Sequence, residues 1–287
     1  MHIPGKTFLV GEYAVLVGGE ALGLGTLPAF TTGQDVTKYH HDSAVGLFNQ
    51  KHAFHFQTEI LNPYQIKNTE GLIPVGGFGQ STAEFIFAYR QKYQKFSLKT
   101  IFDDYLALYM DPQYITQQPS GADLVTQLLG GVTHFARPVE NSQSYTWPFK
   151  KLSFCVISAV EKTGTKVKTH EHLQNLNRAQ LLDLPTLSQT VIESFKNKEE
   201  SVFLKNLSDW VESLTQKKLI CESSLQIKAE LEKIESVKLV KPCGALGADV
   251  LLVFSSKELT QITQSELRQR GFTTLATEDS LTAGALI

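Results

Sequence analysis

The sequence predicts an α+β protein built from two domains, and three features of the chain lead to that prediction. Short apolar runs separated by glycines fill the first half, which is the pattern of strands joined by tight turns. The second half is mostly helical by the spacing of its apolar residues. Between the two halves, from Pro138 to Pro148, the chain is polar and rich in turn-forming residues. We therefore expect a first domain at residues 1–148 and a second domain at residues 149–287.

Individual elements follow from the same spacing. In the first half, strands are predicted at residues 7–10, 14–17, 54–60 and 132–136, and helices at 81–93, 101–110 and from about 119 to 130. In the second half, strands are predicted at 152–160, 237–240 and 250–254, and helices near 166–176, 178–198, 200–218, 222–235 and 257–270.

Composition excludes several classes of function. The chain of 287 residues carries 27 Lys and Arg against 29 Asp and Glu, a formal net charge of -2, so we expect neither nucleic acid nor a membrane as a partner. Three cysteines, Cys155, Cys221 and Cys243, lack metal-ligand or redox spacing and predict free thiols in a reducing compartment. No secretory segment or apolar stretch of roughly 20 residues is present, which predicts a cytoplasmic location.

A glycine-rich segment before the predicted helix at 81–93 is the strongest local signal. Glycines let backbone N–H groups approach an anion, and the helix that follows adds the positive end of its dipole. The segment is neither a Walker A loop nor a dinucleotide fingerprint, and a simple helix cap with a tight turn remains the alternative. The residues that we expect to bind a phosphorylated cofactor are Gly76, Gly77, Gly79, Gln80, Ser81 and Thr82.

Two charged residues are candidates for catalysis. Asp123 follows Pro119-Ser120-Gly121 in the first turn of a predicted helix, where a carboxylate can simply complement the helix dipole. A carboxylate there could also orient or deprotonate a substrate hydroxyl if a lysine lies near it. Lys6, at the start of the first predicted strand, and Glu12 are by default solvated side chains.

The order of these segments along the chain resembles the three-motif pattern of the GHMP kinases, the superfamily of galactokinase, homoserine kinase, mevalonate kinase and phosphomevalonate kinase. Pro4 to Leu16 resembles the first motif, and Gly77 to Ala83 the second. Pro119 to Asp123, followed by two glycines, is similar to the segment with the catalytic aspartate, and Gly244 to Asp249 is similar to the third motif.

This resemblance implies a fold and a set of site residues. The fold would be a ribosomal protein S5 domain 2-like N-terminal domain plus a ferredoxin-like C-terminal domain, with ATP and Mg²⁺ as cofactors and a homodimer as a family-like assembly. Lys6 and Asp123 would be catalytic, and Ser81 would bind the metal ion. The residues expected to bind the acceptor are Glu12, Ser120, Gly121, Lys168, Gly244 and Gly247.

The resemblance favours the mevalonate-pathway branch and leaves two acceptors open. Trp147-Pro148 and Asp249 resemble phosphomevalonate kinase, as does the Thr-Gly-x-x-x-x-Thr segment that starts at Thr163, whereas the Pro-Ser-Gly-x-Asp segment resembles mevalonate kinase. A phosphorylated acceptor needs further cations, for which Arg137, Lys166 and Lys168 are the candidates.

Four departures from the family pattern support a rival interpretation. Gln80 replaces a serine of the second motif, and Leu246 and Ala248 replace glycines of the third. Pro112 stands where mevalonate kinases carry a magnesium-binding glutamate, with Asp111 as the candidate substitute. The rival is a catalytically impaired protein of the same fold that binds a metabolite or a partner. The related diphosphomevalonate decarboxylase is a third alternative, although its N-terminal segment differs.

Overall fold

The computed structural model describes residues 1–68, 71–111, 119–159 and 176–286. Its strands are β1 (Ile3–Val10), β2 (Ala21–Val36), β3 (Thr58–Leu61), β4 (Gln65–Asn68), β5 (Gly71–Pro74), β6 (Gly131–Phe135), β7 (Gln143–Tyr145), β8 (Leu152–Ser158), β9 (Val237–Cys243), β10 (Val250–Ser256) and β11 (Thr274–Thr277). Its helices are α1 (Ala44–His52), α2 (Gln80–Lys92), α3 (Leu98–Ala107), α4 (Ala122–Leu129), α5 (Leu184–Lys196), α6 (Glu200–Gln216), α7 (Glu222–Leu231) and α8 (Thr260–Gln269).

The first sheet has the strand order β1-β2-β6-β7, with β3 paired to the far half of β2, and every pairing is antiparallel. Helix α4 packs on β1, β2 and β6, and α2 packs on α4 and β1. The long strand β2 was not predicted, because Gly23 and Gly25 interrupt its apolar pattern. Their missing side chains admit Thr126 of α4 and the backbone of Gly130, so these glycines allow the helix to lie close to the sheet.

The second sheet has the order β11-β8-β10-β9 and is also antiparallel throughout. The first and third strands of this domain therefore lie side by side in its centre, which is the ferredoxin-like arrangement. Helices α5, α6 and α7 form a long crossover between β8 and β9, and α8 connects β10 to β11. The predicted α+β fold is confirmed.

Aromatic side chains fill the junction between the two sheets. The Trp147 ring packs edge-on against Phe149 and Phe154, with centroids 5.2 and 4.9 Å apart, and its indole N–H donates to the Leu152 carbonyl at 2.8 Å. One cluster of buried apolar residues runs through both domains, and a second, smaller cluster lies in the second domain. Trp147, which the family resemblance had singled out, thus has a packing role in the fold.

The chain passes from one sheet to the other around the predicted domain boundary. It leaves the first sheet after Tyr145 and enters the second at Leu152. The last described residues, 281–286, return to the first sheet, where the Thr282 N–H donates to the Gly25 carbonyl at 3.1 Å. The division at residue 148 stays a prediction.

One predicted strand is wrong, and a second is wrong in part. Residues 14–17 form a short 3-10 helix, because the chain turns at Gly11 and Gly18, which both have positive φ. The strand expected at 54–60 begins only at Thr58. The helix expected near 166–176 falls almost wholly outside the described residues. None of the helices in the described ranges has the combination of length and apolar character that crossing a bilayer requires.

Candidate active site

Lys6 and Asp123 meet at the surface of the first domain. Lys6 lies within β1 and Asp123 lies in the first turn of α4, which begins after Gly121 at a φ of 79°. The Lys6 Nζ lies 2.9 Å from Asp123 Oδ1, and the ammonium also lies over the Phe8 ring, 4.4 Å from its centroid. The lysine side chain is 8% exposed and the aspartate side chain 35%. The pair therefore presents a carboxylate that is held by a buried cation and remains open to a ligand.

The glycine loop leads into α2 beside this pair. Gly77 and Gly79 have φ values of 84° and 77°, which are left-handed conformations that glycine adopts at little cost. No side chain caps the start of α2, so its first N–H groups are available to an anion. The Lys6 N–H donates to the Phe78 carbonyl at 2.9 Å, which fixes the loop against β1.

The third-motif segment closes against the same loop through Asp249. Asp249 is a buried residue, 5% exposed. A Cβ at Gly76 would lie 2.6 Å from Asp249 Oδ1, and a Cβ at Gly244 would also collide with the carboxylate. These two glycines therefore make room for Asp249 as well as for any ligand. Leu246, in place of a family glycine, adopts a left-handed φ of 53°, and its N–H donates to the Tyr13 hydroxyl at 3.1 Å.

Glu12 pairs with a different lysine from the one that pairs with Asp123. Its carboxylate forms an ion pair of 2.6 Å with Lys241, and the two side chains are 7% and 0% exposed. Burial lowers the pKa of Lys241, but Cys243 and Glu12 raise it more, and the net shift is upward. The second carboxylate oxygen of Glu12 is buried without a hydrogen-bond partner among the described residues. The acceptor-binding role of Glu12 stays a prediction.

The residues before Asp123 hold the start of α4. The Ala122 N–H donates to Ser120 Oγ at 3.2 Å, and the Arg137 guanidinium donates to the Ser120 carbonyl at 3.3 Å. A Cβ at Gly121 would collide with the Phe102 ring. Tyr105 lies close by in α3.

Burial of Tyr105 raises its pKa, and the charges of Tyr109 and Asp123 raise it further. Tyr105 is therefore a neutral hydroxyl in the surroundings of the candidate catalytic carboxylate.

The remaining predicted residues are Gln80, Ser81 and Thr82, which lie in the first turn of α2, and Lys168. Ser81 is exposed in the first turn of α2, whereas Thr82 is 3% exposed. Gln80 lies on the surface of α2, where its amide accepts from Asn62 and donates to Glu84, both at 3.0 Å. Lys168 lies outside the described residues, so its predicted role is untested.

The described residues fit a nucleotide and its metal ion on chemical grounds. The uncapped start of α2 and the positive-φ glycines suit a phosphate. Mg²⁺ takes oxygen ligands and retains several waters. The Ser81 hydroxyl and the open side of the Asp123 carboxylate are oxygen donors at this site, and the Asp249 carboxylate also lies against the loop.

A second cluster of metal-ligating side chains lies elsewhere. The ligand atoms of His40, His41 and Asp42 lie within 4.8 Å of one another, although no metal-site spacing was recognised in the sequence. All three residues are exposed and immediately precede Ser43, the N-cap of α1. The positive end of a helix disfavours a cation at that place, so we assign the cluster no role.

Sequence reasoning missed the partners of the site. Lys241 and Gln127 are both fully buried, and both bond to segments of the first motif. Gln127 carries a weak signal in the sequence, because it is a large polar residue directly before the apolar pair Leu128-Leu129 of α4. Lys241 carries no such signal in the sequence, because 229 residues separate it from its partner Glu12.

Comparisons with known proteins show similarity at the level of structure. No family model and no curated protein matches the chain. The phosphomevalonate kinase from Streptococcus pneumoniae, solved in complex with phosphomevalonate and AMPPNP, superposes with a TM-score of 0.68 over 96% of this chain and 98% of that one, at 14% identity. The mevalonate kinase from Methanococcus jannaschii gives 0.64 over 96% of each chain at 17% identity.

The similarity extends beyond the mevalonate pathway. Galactokinase from Lactococcus lactis, complexed with galactose, superposes with a TM-score of 0.67 over 99% of this chain and 93% of that one, at 9% identity. Sequence identities this low establish a shared fold but do not identify the acceptor that this chain would phosphorylate. The chain has the two-domain α+β fold of the GHMP kinases.

Proposed function

We propose that the chain is an ATP-dependent kinase that transfers the γ-phosphoryl group to a mevalonate-pathway acceptor, phosphomevalonate or mevalonate. The observation that carries the proposal is the 2.9 Å pair of Lys6 with Asp123 beside an uncapped glycine loop. Phosphoryl transfer needs positioning and charge neutralisation more than covalent chemistry, and this arrangement supplies both.

The proposed mechanism assigns one task to each group. Asp123 orients the acceptor hydroxyl and accepts its proton, because its carboxylate is partly exposed and is fixed on its other side by Lys6. Lys6 offsets the negative charge that builds up on the carboxylate and the transferred phosphoryl group. The N–H groups at the start of α2 bind the phosphates of ATP.

The cofactor set follows from the same donors. ATP would lie against Gly76, Gly77, Gly79 and the first turn of α2. Ser81 would hold Mg²⁺, whose contribution when bound is to neutralise phosphate charge. The proposed acceptor-binding residues still include Glu12, Gly244 and Gly247, although the Glu12 carboxylate forms an ion pair with Lys241.

Two family departures are compatible with activity. The Gln80 side chain bonds along the surface of α2 to Asn62 and Glu84. Leu246 adopts the left-handed backbone conformation that a glycine would take, and Tyr13 holds its N–H. These contacts support the kinase over the catalytically impaired rival.

The positive charge of Arg137 favours phosphomevalonate over mevalonate as the acceptor. Arg137 bonds to the Ser120 carbonyl, three residues before Asp123, and is exposed. A guanidinium there can bind the phosphate of phosphomevalonate, a group that mevalonate lacks. Arg137→Met should therefore raise KM for phosphomevalonate at least tenfold and leave KM for ATP within twofold. An unchanged KM for phosphomevalonate would remove Arg137 from the site.

The test of function is ADP release from ATP and Mg²⁺ with mevalonate, phosphomevalonate, galactose and homoserine in parallel. Turnover with a mevalonate-pathway acceptor supports the proposal, and turnover with galactose or homoserine alone reassigns the substrate. Intact ATP binding without turnover of any acceptor favours the catalytically impaired rival.

A further inference from the structure

The side chain of Gln127 connects the helix of Asp123 to the glycine loop. Gln127 lies one helical turn after Asp123 in α4 and is 0% exposed. A buried primary amide needs partners for two N–H donors and for its carbonyl oxygen, because unpaired polar groups in the interior are costly. The partners of this amide therefore identify the segments that it holds in place.

The donor side of the amide faces three backbone carbonyls. Gln127 Nε2 lies 3.0 Å from the Pro4 oxygen, 3.1 Å from the Gly79 oxygen and 3.4 Å from the Phe78 oxygen. Pro4 lies in β1, two residues before Lys6, and the other two carbonyls belong to the glycine loop. One side chain thus joins β1, the loop and α4.

The acceptor side is also occupied. The Thr82 hydroxyl, in the first turn of α2, donates to Gln127 Oε1 at 2.5 Å. A Cβ at Gly79 would lie 3.2 Å from Gln127 Nε2, so the absence of a side chain there leaves room for the amide. A glycine is therefore favoured at position 79 for two reasons. Its φ is positive, and the Gln127 amide lies close to the place where a side chain would begin.

These contacts fix the direction of two peptide units. In a planar trans peptide the N–H points away from the C=O of the same unit. Because the Phe78 and Gly79 carbonyls turn toward Gln127, the N–H groups of Gly79 and Gln80 turn to the opposite side. The Phe78 carbonyl is held a second time, by the Lys6 N–H at 2.9 Å. Both outward N–H groups belong to the anion-binding start of α2.

We propose that Gln127 is a positioning residue that holds these two peptide units in their phosphate-binding orientation and couples the loop to the helix of Asp123. The proposal rests on nucleotide binding as the function of the loop. Gln127→Leu keeps approximately the same volume but removes the amide from three carbonyls and from the Thr82 hydroxyl. The Phe78 carbonyl then keeps only the Lys6 N–H, and the Gly79 carbonyl keeps the Ala83 N–H and the Thr82 hydroxyl. The two peptide units are then held by fewer hydrogen bonds, while the acceptor-facing Ser120 and Asp123 keep their own contacts.

The test compares the affinities of the full-length protein for two ligands by calorimetry: ADP with Mg²⁺, and phosphomevalonate. Gln127→Leu should weaken ADP binding at least tenfold and change phosphomevalonate binding by less than twofold. Thr82→Val, which removes the hydroxyl bonded to the amide, should show a smaller loss for ADP only. Gln269→Leu, at an exposed position at the end of α8, is the matched control and should bind both ligands as the wild type does.

Kinetics add a readout that general destabilisation would not reproduce. In Gln127→Leu, KM for ATP should rise more than kcat falls. Equal ADP affinity in the wild type and this variant, or equal losses for both ligands, would overturn the proposal. If Gln127→Leu does not fold, wild-type ADP affinity in Thr82→Val overturns it. A wild-type protein that binds no ADP contradicts the proposed function itself, whereas binding that both variants retain contradicts only the role of Gln127.

Discussion

The buried ion pair between Glu12 and Lys241 joins the two domains, and its loss should be costly. Glu12 follows β1 of the first sheet, and Lys241 lies in β9 of the second, with 2.6 Å between their charged atoms. Lys241→Met keeps a long side chain but leaves the Glu12 carboxylate buried without its cation. Removing one partner of such a pair costs about 3–5 kcal/mol. Each kcal/mol lowers Tm by roughly 2 °C in a protein of this size, so we expect a fall of about 6–10 °C.

Thermal unfolding measures this fall, and a surface pair provides its control. Lys205 and Asp209 lie 2.8 Å apart, but their side chains are 73% and 48% exposed, so Lys205→Met should cost about 0.5 kcal/mol or less. Glu12→Gln combined with Lys241→Met removes both charges and should recover most of the lost stability. A Lys241→Met protein that melts within 2 °C of the wild type would refute the reasoning.

Two further predictions concern single contacts. Gly76→Ala should lower the free energy of unfolding by about 1–3 kcal/mol, because the new Cβ meets the Asp249 carboxylate. Adding Asp249→Ala to the same chain should restore most of the lost Tm. If the double variant shows no recovery, this contact is excluded as the cause. Burial lowers the pKa of His134, its hydrogen bond with Glu20 opposes the shift and Lys196 adds to it. The unfolded chain therefore binds a proton at higher pH than the folded one, so the free energy of unfolding should fall as the pH drops from about 7 toward 5. His134→Gln should flatten that fall in urea titrations, and an equal fall in both proteins would contradict the assignment.

The sequence was informative where a motif lies in one continuous segment. The glycine loop, the helix of Asp123 and the strand of Lys6 each carry a local pattern, and the family resemblance predicted that they belong to one site. The ion pair of Lys6 with Asp123 agrees with that prediction. Ser81 and Thr82 were grouped together, yet Thr82 faces the interior and Ser81 the solvent, since neighbouring residues on a helix point in different directions.

The sequence was uninformative where a contact depends on tertiary packing. Lys241 and Gln127 are identified by what they bond to, and those partners are distant in the chain. The run Ala14–Val17 is too short for its periodicity to separate a strand from a helical turn. Gly76 was interpreted as a residue that lets a ligand approach, but the nearest neighbour of its missing side chain is Asp249.

The central claim is that Asp123, paired with Lys6, promotes phosphoryl transfer from ATP. Its most direct test is a single-turnover measurement of labelled γ-phosphate transfer to phosphomevalonate by the wild type, Asp123→Asn and Asp103→Asn, an exposed aspartate of α3 that pairs with Lys99. We expect transfer by the wild type and the Asp103 control, and a rate at least about 100-fold lower in Asp123→Asn, the contribution typical of a positioned general base. Equal rates in all three proteins, or binding of both ligands without transfer by the wild type, would contradict the account.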